Sequence, residues 1–210
     1  MQRAALLAQQ MNAEVFFVHA VNDSLAGRVL RSKVNRAYAR LAFQSEHLIK
    51  HAPEDAMVAV QLGKPVDVVI AAAREYRPDL IVLARPNRRR LDAIVGTTAE
   101  RIIRGTDCSL LLVSNPVVRA YERVTLAADV SSTSEHVTNS IVNMGMLNNA
   151  LIQLASDTEQ PELLVVGVSR WFALKRILAS SAAHRVLRAV NCDVLAIAPP
   201  AAERKWLQAA

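Results

Sequence analysis

The sequence predicts an α/β fold built on parallel sheet, and three observations carry that expectation. A stretch from Arg77 to Asn115 returns in worn form from Gln160 to Pro199. Pro78-Asp79-Leu80-Ile81-Val82 aligns with Pro161-Glu162-Leu163-Leu164-Val165, Thr97 to Ile102 with Ser181 to Val186, and Cys108 with Cys192. Each copy reads as an apolar strand, a polar loop, an amphipathic helix and a second apolar strand, which is half of a parallel α/β layer. Hydrophobic residues make up 52% of the chain and aromatic ones only 4%, and a surplus of Ala, Val, Leu and Ile is what helices packed on both faces of a sheet require. No apolar run approaches the roughly 20 residues of a membrane span, so a soluble globular class is expected. The repeat predicts two related domains, 1–116 and 117–200, with a tail over 201–210.

Taken in order, Gln2 to Met11 places Ala5, Leu6 and Ala8 at helical intervals, with Asn12 as terminator. Glu14 to Val21 reads as a buried strand. Leu30 to His51 is a long amphipathic helix with Val34, Tyr38, Leu41, Leu48 and Ile49 on one side, stopped by Pro53. Met57 to Leu62 is a third apolar stretch, and Gly63-Lys64-Pro65 turns into a helix from Val66 to Tyr76. Asp79 to Ala84 is a strand. The helix after Arg90 lines up Leu91, Ile94, Val95, Thr98 and Ile102, turns Glu100, Arg101 and Arg104 outward, and ends at Gly105. Ser109 to Ser114 closes the first half as a strand. After Pro116, Arg123 to Asp129 is a new strand, and Ser131 to Glu135 caps a helix that continues towards Asn148.

Net charge is +6, and of 25 basic and 19 acidic residues, 16 and 11 fall before Val117. The excess therefore sits in the first half, where Arg88-Arg89-Arg90 form one basic run. The two cysteines have no metal spacing and read as small buried thiols, which fits a reducing, cytoplasmic setting. The N-terminus MQRAALLAQQMN lacks the solid apolar core of a signal peptide.

The order of elements, the Pro-Asp-Leu-Ile-Val strand, the Gly-Thr-Thr-Ala-Glu-Arg-Ile helix start and the Cys-Ser-Leu-Leu-Leu-Val strand resemble the universal stress protein family, here as a tandem pair. The resemblance runs to about Pro200. It implies a doubly wound, Rossmann-like sheet of strand order 3-2-1-4-5, a role in stress response, and dimerisation through the fifth strand. In a tandem chain that self-association would bring Ser109–Ser114 against Asp193–Ala198. Against the family pattern both halves lack strands. The first has no first strand, and the second passes from Asn148-Asn149-Ala150 straight into a helix, without strands two and three. A sheet missing its middle leaves backbone groups unpaired. The simplest expectation is that the corresponding segments are missing from this sequence. The other is that Arg123–Asp129, or a partner chain, fills the vacant central place of the first half.

Nucleotide-binding members of the family carry G-x2-G-x9-G-[ST] after strand four, where backbone amides and a helix N-terminus meet phosphates. The matching positions here are Ala84, Asn87, Gly96 and Thr97 in the first half, and Gly167, Arg170, Ser180 and Ser181 in the second. Neither copy keeps the second glycine, and Pro86 removes an amide donor. The resemblance thus implies ATP as the cofactor of an impaired site. Arg88, Arg89, Arg90 and Arg170 could supply forked donors to phosphate, or form a solvated surface. Thr97, Ser180 and Ser181 read equally as phosphate contacts or as helix caps. Asp129 falls where the family places an acid near nucleotide and metal, and it could as well cap the next helix. Val21 matches a position whose backbone contacts adenine.

The histidines His19, His47, His51, His136 and His184 share no ligand spacing, and no nucleophile elbow, Walker loop or paired-cysteine motif occurs. The expectation is a non-catalytic binding or assembly module without a metal, either a regulatory protein with impaired nucleotide binding or a nucleotide-independent partner-binding scaffold. Nucleic-acid binding through Arg88–Arg90 lacks flanking aromatic residues to stack on bases.

Overall fold

The computed structural model describes residues 1–24, 27–48, 56–84, 98–114, 119–127, 151–154, 162–167 and 192–198. They fall into two compact units, Met1–Arg77 and Pro78–Ala210.

In the first unit, α1 (Gln2–Met11) buries Ala5, Leu7 and Ala8, so Leu7 rather than Leu6 completes its apolar stripe. Asn12 ends the helix at φ 48°, a left-handed conformation that asparagine tolerates. β1 (Val15–Val21) and β2 (Ala56–Leu62) pair in parallel, from Val15 opposite Ala56 to Val21 opposite Leu62. Parallel neighbours need a long crossover, and α2 (Gly27–Leu48) supplies it. Alternation along β1 sends Phe17 and Val21 into the core of one face. On the other face Phe16 stacks on Tyr76 of α3 (Pro65–Tyr76), with ring centroids 4.6 Å apart. Gly63 sits at φ 136° and its N–H donates to the Val21 carbonyl at 2.9 Å, so the turn after β2 also closes the end of β1. Pro65 then opens α3, where a missing N–H costs nothing.

The second unit contains β3 (Leu80–Ala84), α4 (Thr98–Gly105), β4 (Ser109–Val113), β5 (Arg123–Ala127), β6 (Leu151–Leu154), β7 (Leu163–Gly167) and β8 (Asp193–Ile197). They form one sheet in the order β3-β4-β8-β7-β5-β6. Ile102 of α4 is fully buried while Arg101 and Arg104 face outward, as the helical spacing predicts. Leu110, Leu111, Leu163, Val165 and Leu195 are buried to the last atom. Both cysteines are buried, and the Cys108 thiol donates to the Pro78 carbonyl at 3.0 Å. The division into units departs from the sequence repeat: β3 and β4, read from the sequence as part of 1–116, join the sheet of β8.

Two expectations are corrected. Arg123–Ala127 does not fill a central place in the first half, because both its edges are taken, by β6 on one side and β7 on the other. Leu151–Leu154 is a strand in parallel register with β5, from Arg123 opposite Leu151, so the chain does not run from Asn148–Ala150 straight into a helix. The physical reason is the open edge of β5, whose backbone groups a short Leu-Ile-Gln-Leu segment satisfies.

All pairs in this sheet are parallel except β4 with β8, which is antiparallel with Leu110 opposite Ala196, Leu111 opposite Leu195 and Leu112 opposite Val194. With Cys108 aligned on Cys192, Leu111 is the repeat counterpart of Leu195, so at the centre of the pair a residue meets its own equivalent. The two ends are tied in matching fashion. Asp193 Oδ1, at the start of β8, accepts from the Ser114 N–H just past β4 at 2.7 Å. Ser109 Oγ, at the start of β4, accepts from the Ala198 N–H just past β8 at 3.2 Å.

Candidate functional site

β5 is the strand at which this sheet changes direction. The chain leaves it for β6 on one side, and β7 and β8 build out on the other. In open α/β sheets the crevice outside the carboxyl ends of strands at such a point is where ligands are received, because two crossovers diverge there. The register puts Ala127 of β5 opposite Val166 of β7, next to Gly167 at the end of β7. Asp129 follows β5 by two residues, and Arg170 follows Gly167 by three. The fold thus brings the strand ends that carry Asp129 and Gly167 side by side. Asp129, Arg170, Ser180 and Ser181 themselves lie outside the described residues, as do Gly96, Thr97 and Arg88–Arg90. In the other repeat, Ala84 is the exposed end of β3.

Val21 lies at the carboxyl end of β1 with its side chain buried, and its carbonyl already accepts from Gly63. Beside it opens a cleft of about 740 Å³, lined by Met1, by residues Val18 to Asn22 and by one face of α2. That face carries Lys33, Arg36 and Arg40 together with Ala37 and Leu41. They come together because spacings of three, four and seven residues place side chains on one side of a helix. This cationic row escaped the sequence reading, which assigned the basic excess to Arg88–Arg90. Its spacing in the sequence is the signal that could have found it.

At the amino ends of β7 and β8 two carboxylates hold the segment that enters β5. Asp193, 1% exposed, accepts from the Tyr121 hydroxyl at 2.6 Å in addition to Ser114. Glu162 accepts from the Glu122 N–H at 2.8 Å and from the Arg119 guanidinium at 3.1 Å. Burial raises the Glu162 pKa, but the Glu122 N–H, the Arg119 guanidinium and Arg123 outweigh it, so the group is held below the usual carboxylate range. These contacts lie at the end of the sheet opposite the crevice and are structural.

Among the described residues no group of three or more His, Cys, Asp and Glu side chains is placed to hold a metal. His19 is exposed on β1. His47 packs on Phe43 at 4.1 Å between ring centroids, and its Nδ1–H donates to the Phe43 carbonyl at 2.8 Å. His51, His136 and His184 lie outside the described residues. None of the described helices is long and apolar enough to cross a membrane.

Parallel-rich sheets connected through helices define an α/β protein. The family model described as the Universal stress protein family matches residues 1–114, and the chain belongs to that family. It is similar in fold to a universal stress protein from Archaeoglobus fulgidus DSM 4304, with a TM-score of 0.68 at 13% identity, covering 96% of this chain and 92% of that one. A candidate universal stress protein from Pseudomonas aeruginosa UCBPP-PA14 aligns with a TM-score of 0.57 at 15% identity, covering 96% and 99%. A universal stress protein solved in complex with cAMP aligns with a TM-score of 0.44 at 23% identity, over 53% of this chain and 84% of its own. No curated protein matches the chain.

Proposed function

We propose that this chain is a non-catalytic regulatory module of the stress response. Two copies of the family unit are joined in tandem through β4 and β8, and an adenine-nucleotide site of reduced strength lies at the carboxyl ends of β5 and β7. The observation that carries the reading is the reversal of the sheet at β5, which sets the strand ends preceding Asp129 and following Val166 side by side. Gly167 at the end of β7 keeps the first glycine of the family pattern, and Ser180 and Ser181 take the sequence positions of its closing residues. Arg170 takes the sequence position of the second family glycine, and a residue other than glycine there narrows the backbone freedom such a cradle draws on.

Equilibrium dialysis with ATP tests this. The expected outcome is weak, saturable binding that falls on Asp129→Ala and on Ser181→Ala. If the parent chain retains no ATP at millimolar ligand, the nucleotide clause is lost and the second reading stands. That reading is a partner-binding scaffold that works without nucleotide, and the two degenerate loops favour it. The cytoplasmic setting and the absence of catalysis belong to the proposal on the same footing.

A further inference from the structure

The outer face of α2, turned away from the sheet, combines two kinds of side chain. Five basic residues, Arg28, Arg31, Lys33, Arg36 and Arg40, stand along the helix against one acidic residue, Glu46, and all five are exposed. Among the described residues none of the five is ion-paired. α2 packs on β1 and β2 and buries only Leu41 and Ser45. Phe43 lies two residues from each of these, and at about 100° per residue that turns its ring away from the sheet. The ring is 61% exposed, with His47 packed beside it. Val29 and Arg36 precede Phe43 at steps of seven, so the three share one line along the helix with a drift of only about 20° per step. Val29 is 51% exposed. The outward line therefore reads apolar, cationic, apolar over about 21 Å, with Arg28 and Arg40 on its two flanks. A polyanion in solution attracts the cations alone. An anionic bilayer takes both kinds of side chain, the charges at its headgroups and the apolar groups at the boundary with the acyl chains.

We propose that the outer face of α2 docks on an anionic lipid surface, with Val29 and Phe43 set below the headgroups and Arg28, Arg36 and Arg40 on the lipid phosphates. The helix lies along the surface and does not cross it, which agrees with its charge content and with the rarity of apolar residues on that face. The docking is independent of the crevice at β5 and β7.

Co-sedimentation of the full chain with vesicles tests this, using phosphatidylcholine alone and equal parts of phosphatidylcholine and phosphatidylserine. Binding is expected to the anionic vesicles only, weakening as salt is added. The double substitution Arg28→Gln/Arg36→Gln should weaken it about tenfold or more. Phe43→Gln leaves the net charge unchanged and should weaken it about fivefold, because an apolar group is lost from the boundary. The control Arg31→Gln/Arg74→Gln removes the same charge from the flank of α2 and from α3, and should change binding less than about twofold. All of these side chains are exposed, so circular dichroism should show unchanged helix content in each variant. A parent chain that does not sediment with the anionic vesicles would overturn the proposal. So would equal losses in the two arginine doubles, which would mean attraction to net charge alone. Duplex DNA that binds as tightly as the vesicles, with Phe43→Gln weakening neither, would assign the face to polyanions and overturn it as well.

Discussion

Asp193 is a charged group in a place where charge is costly. It starts a strand, is 1% exposed, and accepts hydrogen bonds from the Ser114 N–H and the Tyr121 hydroxyl. A buried carboxylate is tolerated when its lone pairs are occupied, and losing it strands the donors that faced it. Asp193→Ala should therefore destabilise the fold by about 2–4 kcal/mol, and Tyr121→Phe by about 1–2 kcal/mol, measured as urea unfolding free energies. Glu162 makes a pH-dependent contribution. Its folded pKa lies below the ordinary glutamate value, so its stabilisation is present above that value, about pH 4.3, and is lost as pH falls through the folded pKa. Glu162→Gln should thus lower the urea midpoint at pH 7 and leave it close to the parent's at pH 3. A parent midpoint that falls no faster than the variant's between those two pH values would refute the assignment.

At the scale of elements, α2 shows how local preference and position disagree. It runs 22 residues, yet buries only Leu41 and Ser45, and its first turn holds no acidic residue. Val34 and Leu48 of the expected apolar side are half-buried, and Tyr38 is exposed. Arg28 and Arg31 stand at the positive end of the helix dipole, and Arg36 and Arg40 repel one another at i, i+4. Arg28→Glu should then stabilise the helix by about 0.3–1 kcal/mol, read from slower amide exchange in its first two turns. Strands such as Val15–Val21 and Ser109–Val113 were legible because an apolar run between turn residues has few other readings. Leu151–Leu154 was not, since four residues fit a helical turn equally well, and what decides is the edge of β5 beside them. The same holds for the cleft: Lys33, Arg36 and Arg40 are visible as a spacing, but that they face the end of β1 is a fact of packing.

For the whole molecule, the repeat foretold β3, β4, β7 and β8, while the compact units divide at Arg77 and Pro78. A repeat is a likeness between stretches of sequence, whereas a compact unit records which strands share hydrogen bonds, and β4 shares them with β8. Because that pair lies within one chain, the urea midpoint should not change between about 1 and 100 μM protein. An interface made between chains would shift upward with concentration. A rising midpoint would show that the strands meet in trans.

The register of β4 on β8 also bears on how this chain could have diverged. Leu111 and its counterpart Leu195 are nearest neighbours across the seam, and Ser109 and Asp193, which also correspond, each fasten the opposite strand. Elsewhere one segment can change while the other stays. Here a mutation in either copy alters the surroundings of the other, so accepted changes must arrive as compensating pairs. The seam therefore acts as a brake on divergence and ties together the histories of two segments that are free to part everywhere else.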